Sequence, residues 1–122
     1  MNRLDNNVVL MTGGTKEIGA ATAELMCQLG ARVVVTARGE AVGRNFEAMM
    51  REQGHDLTFI PHDVSSIEDW KGMVDQVQSL HGGLNILVNN AAIGFHKLFV
   101  DYSEQDIDQM IDINIKGVLF GI

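Results

Sequence analysis

Short apolar runs alternate with segments of helical periodicity along the whole chain. Val8-Val9-Leu10-Met11, Val33-Val34-Val35 and Ile86-Leu87-Val88 are continuous apolar stretches, as expected of strands covered on both faces. Strands are predicted over about residues 7–11, 32–36, 57–60 and 84–89. Helices fill the intervals. The first runs over about 17–29 and stops at Gly30; the second covers roughly 40–53 and stops at Gly54. The third starts at the capping-box pattern Ser65-Ser66-Ile67-Glu68 and runs to about His81, before Gly82-Gly83. A last helix begins after Ser103, with an acid three residues on at Asp106. This alternation implies an α/β fold with a parallel sheet between two helical layers. No linker, repeat or low-complexity segment interrupts it, so residues 1–122 are read as one domain of four β-α units.

The turn after the first strand says most about function. Thr12-Gly13-Gly14-Thr15-Lys16-Glu17-Ile18-Gly19 follows a buried strand and opens a helix, where free backbone N–H groups and the positive end of the dipole attract an anion. A glycine pair also serves a plain tight turn. With such a turn after strand one, right-handed crossovers and the usual dinucleotide-binding arrangement give the strand order 3-2-1-4. The switch point then lies between strands one and four, and strand four is an edge. Leu84, Ile86, Leu87 and Val88 are unusually apolar for an edge strand.

Composition narrows the partners. The 122 residues are 46% hydrophobic and 20% charged, with one proline, which describes an ordinary soluble domain. A net charge of -7 argues against nucleic acid or an acidic membrane surface as the main partner. No apolar run approaches the length of a membrane span and the first seven residues lack a signal peptide's apolar core, so a cytoplasmic location is expected. Cys27 is alone among apolar residues and reads as a buried thiol. His55, His62, His81 and His96 are scattered, so no metal site is expected. Gly19 is followed by Ala20-Ala21, not by the Lys-Ser/Thr of a Walker loop.

Further candidates fall at the carboxyl ends of the other strands, the ligand side of an open α/β sheet. Strand two ends at Thr36-Ala37-Arg38, where an NAD-binding domain would carry an acid for the ribose hydroxyls. A guanidinium there suits a 2′-phosphate, and Lys16 adds a second positive charge, so the pair favours NADP over NAD. Solvated surface charges are the plainer account of both. After strand three, Asp63 can accept a hydrogen bond from an adenine amino group while Val64 covers the ring; Asp63 also suits a helix cap. After strand four, Asn89-Asn90-Ala91-Ala92 can bridge loops or touch an adenosine ribose. In the last helix Ile107, Met110, Ile111, Asn114, Val118 and Gly121 share one face. Asn114 is thus an amide on an apolar stripe, suited to holding a water or a main-chain carbonyl, or to an ordinary satisfied core position.

Taken together, the Thr12–Gly19 turn, Asp63-Val64, Asn89-Asn90-Ala91-Ala92 and Asn114 resemble the N-terminal half of the short-chain dehydrogenase/reductase family. The resemblance covers the whole chain and about half of a typical member. It implies a Rossmann-type, doubly wound parallel sheet, truncated to about four strands. It also implies oxidoreductases that use NAD or NADP to oxidise alcohols or reduce carbonyls, commonly as dimers or tetramers. Carried over by position, Gly13, Thr15, Lys16, Ile18 and Gly19 would surround the cofactor phosphates and ribose. Arg38 would meet the 2′-phosphate, Asp63 and Val64 the adenine, and Asn90 and Ala91 the adenosine ribose. Asn89 would knit the sheet, and Asn114 matches the family's catalytic Asn, which positions a water in a proton relay.

Three departures stand out. The family's catalytic Ser and Tyr-x-x-x-Lys pair would lie beyond Ile122, and Tyr102 is no substitute because position 106 is Asp. Glu17 occupies the family's middle glycine, and Ala92 stands where Gly is usual. The expectation is an NADP-binding half of an oxidoreductase with little turnover of its own. It would be a homo-oligomer through its last helix or strand-four edge, with no nucleic-acid or membrane partner. The alternative is a non-enzymatic remnant that folds by self-association, its cofactor site lost through Glu17.

Overall fold

Strands β1 (Val8–Thr12), β2 (Arg32–Ala37), β3 (Leu57–Pro61) and β4 (Ile86–Asn89) form one parallel sheet ordered β3-β2-β1-β4. The computed structural model describes residues 3–122. Helices α1 (Glu17–Gln28), α2 (Glu40–Glu52) and α3 (Ile67–His81) connect the strands, and β1 is central, pairing with both β2 and β4. Thr12 lies opposite Thr36 on one side and Asn89 on the other, so three strand ends meet in one row.

Strand alternation divides the core into two layers. Val9, Met11, Val33, Val35, Leu57 and Phe59 pack beneath α1 and α2 against Ala23, Cys27, Phe46 and Met50. Val8, Leu10, Val34 and Ile60 face the opposite side, against Trp70, Met73 and Val77 of α3 and Ile113. Burial pushes the Cys27 thiol up to about 11, with Asp56 and Glu24 adding to the effect. That thiol is a packing group, as its apolar surroundings predict.

The two sheet edges are treated differently. Along β3, the side chains of α2 occupy the place of a further strand. Glu47 accepts from the Phe59 N–H at 2.7 Å, Arg51 donates to the Leu57 carbonyl at 2.9 Å, and Arg44 donates to the Phe59 carbonyl at 3.2 Å. Glu47 is mostly buried and lies between the two guanidiniums, 3.5 Å from Arg44 and 3.7 Å from Arg51. Glu47→Ala leaves the Phe59 N–H without its acceptor and takes the shared carboxylate from both guanidiniums, so it should cost about 1.5–3 kcal/mol in urea unfolding. Glu47→Gln should recover part of the loss, and an unchanged midpoint for the alanine variant would remove the clamp from the account. β4 carries no such cover among the described residues, and all four of its residues are half-buried.

Several boundaries move from their predicted places. β4 starts at Ile86, two residues late, because Asn85 turns its side chain to accept from the Val8 N–H at 2.8 Å. α3 is capped by Ser66, whose hydroxyl accepts from the Asp69 N–H, while Ser65 is held by Asp63 instead. Ser103 and Asp106 form the reciprocal capping box expected at the start of α4 (Glu104–Ile111). Beyond α4 the ladder widens into a π-helical turn, Asp112–Lys116, and resumes as α5 (Gly117–Gly121). The extra residue rotates the helix face. Ile107 and Ile111, placed on the apolar face by helical spacing, are 38% and 41% exposed, whereas Ile113 and Gly117 pack inward against the Val64 side of the sheet.

Candidate dinucleotide site

A cleft of about 410 Å³ crosses the carboxyl ends of all four strands. Its walls include Gly13, Lys16 and Ile18 after β1, Arg38 after β2, Val64 after β3, and Asn90 and Ala91 after β4. Thr15 and Gly19 also line it. Nine of the ten residues singled out for a cofactor are therefore brought together; Asp63 is the one left out of the cleft wall.

Two buried threonines set this geometry. The Thr12 hydroxyl accepts from the Asn90 and Ala91 N–H groups, both at 3.1 Å, and so fixes the β4 loop to β1. Asn90 returns a bond from its amide to the Gly13 carbonyl at 3.0 Å. Asn90 thus does the knitting that the resemblance implies for Asn89, whose Oδ1 is buried and has no hydrogen-bond partner among the described residues. Gly13 donates to the Thr36 carbonyl at 2.8 Å with φ +69°. A Cβ on Gly13 would lie 2.9 Å from the Ala91 Cα, and one on Gly19 would run into the Gly13 carbonyl. Both positions are glycine because backbone meets backbone there.

The helix termini and charges at the cleft suit an anion. α1 begins without a side-chain cap, leaving the Glu17, Ile18 and Gly19 N–H groups without intrahelical partners, and α2 behind Gly39 is uncapped as well. α3 and α4, whose N-termini are not part of the cleft, both carry serine caps. Lys16 and Arg38 are exposed on the cleft wall. Ile18 is 79% exposed there, an apolar surface left open at the mouth. The opposing element is Glu17, exposed on the same wall with φ +51°, a conformation costly for any residue but glycine. The backbone, volume and cations fit a dinucleotide; Glu17 alone works against it.

Asp63 binds Ser65 rather than the cleft. One carboxylate oxygen accepts from the Ser65 N–H at 2.9 Å and from its hydroxyl at 2.6 Å. Burial pushes the carboxyl up, but the Ser65 bonds and the nearby Arg38 guanidinium outweigh it and hold it below the usual range. Asp63 does not cap α3 either, since that cap is Ser66; its Oδ1 holds the Ser65 turn that leads into the helix. His62, absent from the sequence-based candidates, is 3% exposed and lines the cleft. Only its place after an apolar strand, beside Asp63, could have marked it.

Asn114 sits inside the π-helical turn. It accepts from the Ile93 N–H and donates to the Ile93 carbonyl, both at 2.8 Å, so its amide is held by both main-chain groups of one residue of the β4 loop. The same residue lines a second, apolar groove with Phe99, Tyr102, Ile107, Met110, Ile111 and Ile115. Among the described residues no cluster of three or more His, Cys, Asp or Glu is placed to hold a metal. No described helix is long and apolar enough to cross a membrane.

The same fold and sequence pattern recur in known proteins. An uncharacterized oxidoreductase of Thermotoga maritima is 36% identical over 114 residues, covering 93% of this chain and 44% of that protein. The NADP-dependent (R)-specific alcohol dehydrogenase of Lentilactobacillus kefiri is 34% identical over 98% of this chain and 47% of its own length. The crystal structure of a short-chain type dehydrogenase/reductase from Mycobacterium marinum superposes with a TM-score of 0.90 at 28% identity, covering 97% of this chain and 48% of that one. The chain spans about half the length of the relatives it matches. The family model for short chain dehydrogenase matches residues 7–122, and the chain belongs to that family.

Proposed function

We propose that this chain is the dinucleotide-binding half of an oxidoreductase acting on alcohols or carbonyls, that it prefers NADP, and that the 122 residues alone give little or no turnover. The observation that carries the reading is the joint placement of Lys16, Arg38 and the uncapped start of α1 around one cleft. Gly13, Thr15, Ile18 and Gly19 would surround the phosphates and ribose, with the first-turn N–H groups as donors. Arg38 would pair with the 2′-phosphate and Val64 would cover the adenine, with Asp63 contributing through the oxygen that Ser65 leaves free. Asn90 and Ala91 would border the adenosine ribose. The cofactor, when bound, supplies the hydride-transferring nicotinamide. Asn114, held rigid by Ile93, would position a water for proton transfer. No Tyr-x-x-x-Lys occurs in the 122 residues, so the acid-base contribution typically worth 10²- to 10⁴-fold is missing from them.

Titration calorimetry of the chain with NADP and with NAD tests the preference. NADP should bind at least about tenfold more tightly, the effect of one charge-assisted bidentate pair. Arg38→Ala should bring the two affinities within about twofold. A folded chain that binds neither nucleotide would favour the second reading, a self-associating remnant. That reading draws on the exposed apolar row Ile107, Ile111, Ile115 and Leu119 and on the uncovered β4 edge.

A further inference from the structure

His62 is a buried imidazole tied to the end of β2 by two bonds. Its backbone N–H donates to the Ala37 carbonyl at 3.1 Å, and its Nδ1 lies 3.0 Å from the Thr36 hydroxyl. Trp70 packs against the ring edge-on, with centroids 4.5 Å apart, and donates from its indole to the Val64 carbonyl at 2.9 Å. Thr36 and Ala37 immediately precede Arg38, which is exposed, so the position of the guanidinium depends on the backbone beneath it. The Thr36 carbonyl in turn receives the Gly13 N–H, which links the same strand end to the phosphate turn. His62 therefore sits at the joint between the two positively charged parts of the cleft.

Resting on the function proposed above, we infer that His62 is a positioning residue for cofactor selectivity: its hold on Thr36 and Ala37 sets Arg38 for a ligand 2′-phosphate. Burial lowers the basicity of the ring against the opposing pull of Asp69 and Asp63, and so favours its neutral form. A neutral imidazole makes one definite donor-or-acceptor bond at Nδ1, which suits a fixed strut. Its Nε2 is buried and makes no hydrogen bond among the described residues, so the Thr36 bond is the one polar restraint on the ring.

The test is calorimetry with NADP and NAD on four variants. His62→Ala and Thr36→Val should each weaken NADP binding about tenfold while leaving NAD within about twofold. His62→Asn, whose amide can reach Thr36 from the Nδ1 position, should keep the wild-type ratio; His62→Gln, whose amide falls at the Nε2 position, should not. Thr36→Val preserves side-chain shape and removes the bond from the other side. Far-UV circular dichroism and the urea midpoint report whether each variant has kept its fold, because Trp70 emission would respond to loss of the His62 ring itself. Equal losses for both nucleotides, or an unchanged ratio in His62→Ala and Thr36→Val, would overturn the selectivity role alone. Wild-type chain that binds neither nucleotide would overturn the proposed function and this role with it.

Discussion

Glu17→Gly should bind NADP at least about tenfold more tightly than the wild-type chain. Glu17 is a carboxylate on the cleft wall in the first turn of α1, beside Lys16, where the helix would otherwise present only N–H groups and positive potential to a phosphate. At about 5 Å, a unit charge repels another by roughly 1 kcal/mol in water and by about 3 kcal/mol at the effective dielectric of a protein surface. The lower figure alone gives about fivefold, and removal of the side chain restores the close approach that glycine allows. Stability should barely move, because opposing effects are of similar size. Relief of the φ +51° conformation is worth about 1–2 kcal/mol, against about 0.3–1 for the lost acid at a helix N-terminus and about 0.4–1 for the added freedom of the unfolded chain. Glu17→Gln separates charge from bulk and should show an intermediate gain. Calorimetry of the three chains decides it, and equal affinities across the set would mean that this wall does not face a phosphate.

Gly13→Ala should do the opposite, damaging fold and site together. The new methyl carbon would stand 2.9 Å from the Ala91 Cα and 3.1 Å from its nitrogen, both backbone atoms held by the Thr12 hydroxyl. The φ of +69° adds strain of about 1–2 kcal/mol, and forced overpacking typically adds 1–3 kcal/mol. A total loss of roughly 2–5 kcal/mol is expected in urea unfolding. Because relief requires the β1 and β4 loops to part, nucleotide affinity should fall at least tenfold even under conditions where the variant stays folded. A variant with wild-type stability would show that the two loops are not locked as described.

Much of this architecture was legible because the responsible forces are local or strictly periodic. The apolar runs at Val8–Met11 and Val33–Val35 place buried parallel strands, and the turn after β1 fixes the order in which they lie. Ser103 and Asp106 announce the start of α4 through a bond pattern three residues long. What was not legible depends on partners distant in sequence. The π-helical turn at Asp112–Lys116 shifts the buried face onto Ile113 and Gly117, and only the pairing of Asn114 with Ile93 accounts for where that shift falls. That Asn90 ties its loop to β1 follows from the Thr12 hydroxyl, 78 residues away from Asn90 in the chain. The clamp of α2 on β3 reads in sequence as a row of surface charges, Arg44, Glu47 and Arg51; only the register of Phe59 against Glu47 shows that they close an edge. His62 escaped notice for the same reason, since its partner Thr36 belongs to another strand.

The most direct measurement is the map of backbone amide shifts in ¹⁵N-labelled chain on addition of NADP. Binding at the strand ends predicts the largest changes at Glu17–Gly19, Arg38, Gly39 and Asn90–Ile93, with Phe99, Tyr102, Ile107, Met110 and Ile111 of the second groove unmoved. Changes confined to that groove, or none at saturating nucleotide in a folded chain, would contradict the assignment of the cleft.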